Sequence, residues 1–202
     1  MFATTALIVH LNRSAVLEGL ALTIGGMSMA TVLLMWWWMK RTHLSWSSLG
    51  FKPLSWRILH VTWQAPLVLL SALLVQVVFA AAVNVSPSEF SLDTAALEVS
   101  LPGTIVLLVA MIVLVPVWEE MVFRGVILNA FKRRFTPSLA LIMAAGVFAI
   151  AHVAFPVFPY LFTLGLGLGL VYAFHRNIWA SIIVHVFVNF LASAAAVSEL
   201  LL

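Results

Sequence analysis

The residues most able to do chemistry in this sequence are two adjacent glutamates and an arginine inside the otherwise apolar stretch from Pro116 to Gly125. Charged side chains are costly in apolar surroundings and usually belong to a functional site or a buried pair. In a helix, Glu120 and Arg124 share one face, whereas Glu119 is rotated by about 100 degrees to another face. The spacing therefore predicts that Arg124 pairs with Glu120 and that Glu119 is free to react.

Histidine and asparagine side chains recur in two later apolar stretches. His152 follows Phe148 by four residues, and Asn189 follows His185 at the same helical spacing. At a rise of ~1.5 Å per residue, Glu119 and His152 lie about 20 Å along their helices from the basic ends, and His185 lies about 10 to 15 Å from the basic end of its helix. Modest helix tilts bring these three side chains into one layer, so the sequence predicts one site built from three helices.

Two kinds of hydrolysis fit this set. In the first, a glutamate takes a proton from water, a histidine assists and an asparagine stabilises the developing oxyanion, which gives peptide hydrolysis inside a membrane. In the second, Glu119, His152 and His185 bind zinc, which activates the same water. The helical H-E-x-x-H signature of zinc proteases is absent from the sequence, and Ser181 and Ser193 lack the nucleophile elbow of serine hydrolases.

The composition predicts that these residues lie in a membrane. Of the 202 residues, 64% are hydrophobic and 8% are charged, and the mean hydropathy is +1.15, far outside the range of soluble globular domains. The net charge of +3 comes from basic residues spread along short loops, so the expected partner is membrane lipid rather than nucleic acid. The chain has no cysteine, which excludes disulfides and thiolate chemistry.

Uncharged runs predict an all-α, polytopic membrane protein of about six transmembrane helices. The first run ends in three tryptophans and two basic residues, an interfacial anchor, and the helix with the glutamates should bend near Pro116. We interpret the whole chain as a single integral membrane domain with N-terminal helices and loops at 15–100 and a motif-bearing catalytic core at 101–197. The spans are predicted at residues 19–39, 61–83, 101–131, two within 135–174 separated by Pro156 and Pro159, and 178–197.

Loop charges predict the orientation of the spans. Eight of the ten basic residues fall in alternate loops on one side, namely Lys40, Arg41, Lys52, Arg57, Lys132, Arg133, Arg134 and Arg176. The other side holds Arg13, Glu89, Asp93, Glu98 and Glu199. By the positive-inside rule, both termini lie outside the cytoplasm. A glycine run in the fifth span places Gly165 and Gly169 in a G-x-x-x-G pattern, which predicts close helix packing.

The motifs resemble those of the CPBP (CAAX protease and bacteriocin-processing, or Abi) family of intramembrane endopeptidases. The resemblance covers residues 101–197, and Leu49-Gly50-Phe51 is similar to a segment often found between the early helices of that family. The motifs are Glu119-Glu120-x-x-x-Arg124 with the following Gly125, then Phe148-x-x-x-His152, then His185-x-x-x-Asn189.

The resemblance implies a CAAX-protease-like core bundle around a cavity and a role for each residue. Glu119 and His152 would activate water, and His185 with Asn189 would stabilise the oxyanion. Glu120, Arg124 and Phe148 would support them. The resemblance leaves open whether zinc is a cofactor. If it is, Glu119, His152 and His185 would be its ligands. Substrates in the family range from prenylated CAAX tails to bacteriocin leaders and membrane-protein segments, and a chain of this size is similar to prokaryotic members, which implies a prokaryotic cell membrane.

Two functions of other classes remain as alternatives. A non-catalytic membrane scaffold or bacteriocin-immunity protein would keep the motif residues as a structural polar network, in which interhelical hydrogen bonds contribute about 1 kcal/mol each. A small transporter would use them as a proton relay, but the sequence shows no inverted repeat with paired broken helices.

Overall fold

The computed structural model describes residues 2–43, 45–84 and 100–201. These residues form six helices, and no β-strand occurs among them. The all-α polytopic prediction is therefore confirmed. The helices are α1 (Phe2–Arg41), α2 (Val61–Val83), α3 (Leu101–Lys132), α4 (Pro137–Ala151), α5 (Phe158–His175) and α6 (Ile178–Leu201), with 3-10 turns at Trp46–Leu49, Trp56–His60 and Phe155–Val157.

Five of the six described helices are long and apolar enough to cross a membrane, and α4 is the exception. Its 15 residues reach about 22 Å at ~1.5 Å per residue, less than the ~30 Å hydrocarbon core of a bilayer. The helix ends at Ala151, so His152 follows the fourth helix and does not lie within it as the sequence predicted. Val153 has a positive φ of 51°, which is unfavourable for a β-branched residue and turns the chain out of the helix.

The helix that carries the glutamates, α3, is not a uniform α-helix. Its turns widen to π-helical geometry at Ala110–Leu114 and again at Met121–Leu128. Pro116 has no N–H, and its ring crowds the carbonyl of Ile112, four residues earlier. The irregularity expected at the proline therefore takes the form of a π-helical segment just before it, within the single long helix that the sequence predicted. Widened turns of this kind are frequent at functional sites.

Glycines on α5 let the neighbouring helices approach closely. A Cβ atom on Gly165 would lie 3.0 Å from Phe148 of α4, and one on Gly169 would lie 2.9 Å from Leu141 of the same helix. Gly167 faces α2 in the same way. The prediction that Gly165 and Gly169 form a packing face is confirmed, and this contact sets the position of Phe148.

The connection between α1 and α2 packs into the bundle instead of lying only at its surface. Leu49 is buried, and its side chain and carbonyl crowd the position where Gly125 would carry a Cβ atom. Gly50 has a φ of +98° and lies against Tyr172, while its carbonyl accepts a hydrogen bond from the N–H of Ile178 at 3.0 Å. The Leu49-Gly50-Phe51 segment thereby ties the connection to α3, α5 and α6.

Basic residues from separate parts of the chain meet at one end of the bundle, where Lys52, Lys132 and Arg176 line one cavity. At the other end, the N–H of Ser100 donates to the Glu18 carboxylate at 3.0 Å. This arrangement agrees with the predicted alternation of loop charge. That both termini lie outside the cytoplasm stays a prediction. The side chains of Arg13, Glu89, Asp93, Glu98 and Glu199 lie outside the described part of the structure.

Candidate active site

A buried ion pair and a histidine lie at the centre of the bundle. Glu120 Oε1 is 2.8 Å from Arg124 Nη1 and 2.9 Å from Nδ1 of His185, which reaches it from α6. All three side chains are 3% exposed or less. Arg124 also donates from Nη2 to the carbonyl of Gly165 on α5 at 2.9 Å. The predicted pair between Glu120 and Arg124 is confirmed, and the additional hydrogen bonds offset the cost of burying its charges.

Glu119 lies on the neighbouring face of α3 and is directed at two histidines. Its Oε1 is 3.7 Å from Nε2 of His152, and its Oε2 is 3.7 Å from Nε2 of His185. These separations are too long for direct hydrogen bonds. At such distances a bridging water is the usual way in which two polar groups interact.

The ring of His152 is oriented by the end of α4. Its Nδ1 lies 2.8 Å from the carbonyl of Phe148, so Nδ1 carries the hydrogen and donates it. Nε2 of the neutral ring then has its lone pair available on the side of Glu119. Phe148 packs beneath this ring at a centroid distance of 4.6 Å and also contacts the guanidinium of Arg124 and the ring of His185.

The site is enclosed except at His152. The side chains of Glu119 and His185 are 8% and 3% exposed, whereas that of His152 is 29% exposed. The apolar groove of about 600 Å³ between α2 and α5 is lined by none of these three residues. A substrate would therefore reach Glu119 past His152.

Asn189 lies one turn after His185 on α6 and is half-buried. Its side-chain nitrogen donates to the carbonyl of Met111 at 2.8 Å, within the first π-helical segment of α3. Ser181 is fully buried, and its hydroxyl donates to the carbonyl of Ile178 at 3.0 Å. Asn189 is therefore close to the irregular part of α3, while the Ser181 hydroxyl interacts with its own helix and with the buried Glu120 carboxylate.

Gln76 of α2 holds the chain segment that follows His152, and the sequence analysis did not identify it. Its side chain donates to the carbonyl of Pro156 at 3.1 Å and accepts from the N–H of Tyr160 at 3.2 Å. Gln76 is 9% exposed. The sequence feature that could have identified Gln76 is its polar amide within an uncharged span, because such groups in a membrane need internal hydrogen-bond partners.

Among the described residues, no group of three or more histidine or acidic side chains is arranged to hold a metal ion. Glu119 directs different oxygens to the two histidines, and Nδ1 of His185 is bonded to Glu120. Zinc ligands lie about 2.0 to 2.2 Å from the metal. The mechanism below is argued from the side chains of Glu119, His152 and His185 alone.

Comparison with known proteins identifies the family of the segment that carries the site. Residues 101–191 match the family model described as Type II CAAX prenyl endopeptidase Rce1-like. No curated protein and no solved structure matches the chain. The matched range contains all three motifs, and the family supports an intramembrane endopeptidase. Residues 101–191, which contain every predicted site residue, thus match the Rce1-like type II CAAX prenyl endopeptidase family, in agreement with the predicted resemblance.

Proposed function

We propose that this protein is an intramembrane endopeptidase in which Glu119 and His152 activate the water that attacks a peptide bond. The observation that carries this proposal is the pair of 3.7 Å separations that place a histidine Nε2 opposite each oxygen of Glu119. A carboxylate and an imidazole at this distance are well placed to share one water.

Activation of the water starts from the orientation of the His152 ring. Because Nδ1 donates to the Phe148 carbonyl, both Nε2 of His152 and Oε1 of Glu119 act as acceptors. A water between them donates one hydrogen to each. Glu119 takes a proton as the water oxygen attacks the substrate carbonyl carbon, and the same proton is returned to the leaving amine when the peptide C–N bond breaks.

His185 and Asn189 are the proposed donors to the oxyanion of the tetrahedral intermediate. Glu120 holds Nδ1 of His185, and an imidazolium at this position donates from Nε2 into the site. Asn189 uses its amide group to donate to Met111, and its second N–H has no acceptor among the described residues. In an enclosed site, one such donor typically lowers the barrier by about 2.7 to 4 kcal/mol.

Glu120 and Arg124 are positioning residues in this mechanism. They bond to each other, to His185 and to the Gly165 carbonyl, so their charges are already neutralised. Their proposed role is to hold the ring of His185 and the register of α3 against α5 and α6.

The proposed substrate is a peptide or a membrane-protein segment that approaches past the exposed edge of His152. Because the matching family is described as CAAX prenyl endopeptidases, a peptide that ends in a prenylated CAAX sequence is the first to test. Unprenylated membrane peptides are the comparison.

The proposal is tested with the purified full chain in liposomes and quenched fluorescent peptides of both kinds. Glu119→Gln should lower the cleavage rate by about 10²- to 10⁴-fold and keep the melting temperature, whereas Glu18→Gln at the far end of the bundle should leave cleavage unchanged. If the wild-type chain cleaves no peptide, or Glu119→Gln cleaves as well as wild type, the residues form a structural network in a scaffold protein instead.

A further inference from the structure

A second concave site lies at the basic end of the bundle, away from Glu119. It is a cavity of about 460 Å³, within the size range of small-ligand sites. Its residues come from the connection between α1 and α2, from the end of α3 and the start of α4, and from the last turn of α5 with the residue that follows it. The lining consists of Ser47, Ser48, Gly50, Lys52, Lys132, Pro137, Tyr172, Ala173 and Arg176.

Structural contacts hold the backbone at Lys52 and Arg176 and the side chain of Lys132. The backbone of Lys52 is held on both sides by buried Asn177, which accepts from the Lys52 N–H at 3.3 Å and donates to its carbonyl at 3.1 Å. Arg176 directly precedes Asn177 and ends α5 with a positive φ of 51°. The ammonium of Lys132 lies 5.1 Å from the ring centroid of Tyr172. The three chain positions that carry the cations are thereby held around one space.

These positive charges have no acidic partner among the described residues. The charges of Lys132 and Arg176 are near enough to repel each other, and no ion pair of Lys52, Lys132 or Arg176 occurs in the described part of the chain. Of the acidic side chains described there, Glu18 bonds at the opposite end, and Glu119 and Glu120 lie in the centre of the bundle. Like charges held together around a cavity favour an anion between them.

We propose that this cavity binds a phosphate group. A phosphate presents three or more acceptor oxygens in different directions, which suits two ammonium groups and one guanidinium. A planar carboxylate would be satisfied by the guanidinium alone. The cavity lies at the basic end of a membrane bundle, where phospholipid headgroups are concentrated. The phosphate is carried by an anionic lipid headgroup or by a free phosphate ion.

The test uses the purified full chain in neutral detergent and follows thermal unfolding. One arm adds inorganic phosphate against sodium chloride of equal ionic strength. The other arm adds phosphatidylglycerol against phosphatidylcholine in mixed micelles. The pocket variant is Lys132→Gln/Arg176→Gln. The matched control is Arg133→Gln/Arg134→Gln, which removes the same charge beside Lys132 from residues that do not line the cavity.

We expect wild type to be stabilised in at least one arm, with about tenfold weaker apparent affinity in the pocket variant and wild-type affinity in the control. Stabilisation by phosphatidylglycerol alone assigns the site to a lipid headgroup, and stabilisation by inorganic phosphate assigns it to the phosphate group itself. Lys52→Gln, which changes an exposed side chain, replaces the pocket variant if that variant does not fold. Equal losses in pocket and control variants, or no stabilisation of wild type in either arm, would overturn the proposal.

Discussion

Nδ1 of His185 lies 2.9 Å from Oε1 of Glu120, the same oxygen that pairs with Arg124. This bond decides which ring nitrogen of His185 faces Glu119, because Nε2 is left on that side at 3.7 Å. The two adjacent glutamates therefore contact opposite sides of one ring. Glu120 holds Nδ1 of His185, and Glu119 faces Nε2 of the same ring.

If Glu119 and His152 activate the same water, the effects of their substitutions should not add. Glu119→Gln and His152→Ala should each lower the single-turnover cleavage rate by about 10²- to 10⁴-fold, and the double variant should be no slower than the slower single variant. Rates are measured in liposomes with the fluorescent peptides. Multiplied losses in the double variant would show that the two side chains act in separate steps.

Removing one member of the buried ion pair should destabilise the bundle strongly. Glu120→Leu or Arg124→Leu leaves an uncompensated buried charge, which costs about 3 to 5 kcal/mol. The double variant Glu120→Leu/Arg124→Leu should recover part of this loss of unfolding free energy, since neither charge remains. Arg133→Gln, on the exposed connection after α3, is the control and should change stability by less than about 0.5 kcal/mol. A double variant as unstable as the sum of the singles would contradict a coupled pair.

Gln76→Leu should lower the cleavage rate more than its effect on stability explains. The substitution leaves the Pro156 carbonyl and the Tyr160 N–H without their partner, which costs about 1 to 3 kcal/mol. It also loosens the segment that follows His152. Ser71→Ala on the same helix removes only a hydroxyl bonded to its own helix and serves as the control. Wild-type rates in Gln76→Leu under conditions where it is fully folded would exclude a positioning role.

Gly165→Ala should disturb the site through Phe148. The added methyl group would lie 3.0 Å from the Phe148 ring and 3.3 Å from the Cα of Ala145, and such overpacking costs about 1 to 3 kcal/mol. Gly146→Ala, on α4, meets nothing within 4 Å and should instead stabilise the helix by up to about 1 kcal/mol. Both are compared by thermal unfolding and cleavage rate. Equal effects would mean that the contact of α4 with α5 does not constrain the site.

Cleavage should persist after treatment with a zinc chelator, because the donor atoms of Glu119, His152 and His185 do not form a ligand group. Metal content of the purified chain, measured by elemental analysis, should be well below one zinc per protein. Stoichiometric zinc that disappears in Glu119→Gln, together with loss of cleavage on chelation, would establish a metalloprotease.

Contacts within one helix were predictable from the order of residues. The pair of Glu120 with Arg124 follows from the helical repeat, which places residues four apart on one face wherever the helix lies. The apolar runs likewise predicted α2 at 61–83 and the long helix through Pro116, because their lengths match a bilayer. The three ordered motifs identified the family of residues 101–191.

Contacts between helices depended on how each helix is rotated and packed, which spacing along the chain does not specify. Only the tertiary structure assigns Nδ1 of His185 to Glu120, the Gly165 carbonyl to Arg124, and Gln76 to the segment after His152. It also brings Lys52, Lys132 and Arg176 to one cavity, although each is more than 40 residues from the next along the chain. The sequence by itself determined which chemical groups enter the membrane. The packing of the helices, including the close approach of α4 and α5 at Gly165, decided how these groups face one another, because a densely packed interior fixes the rotation of each helix.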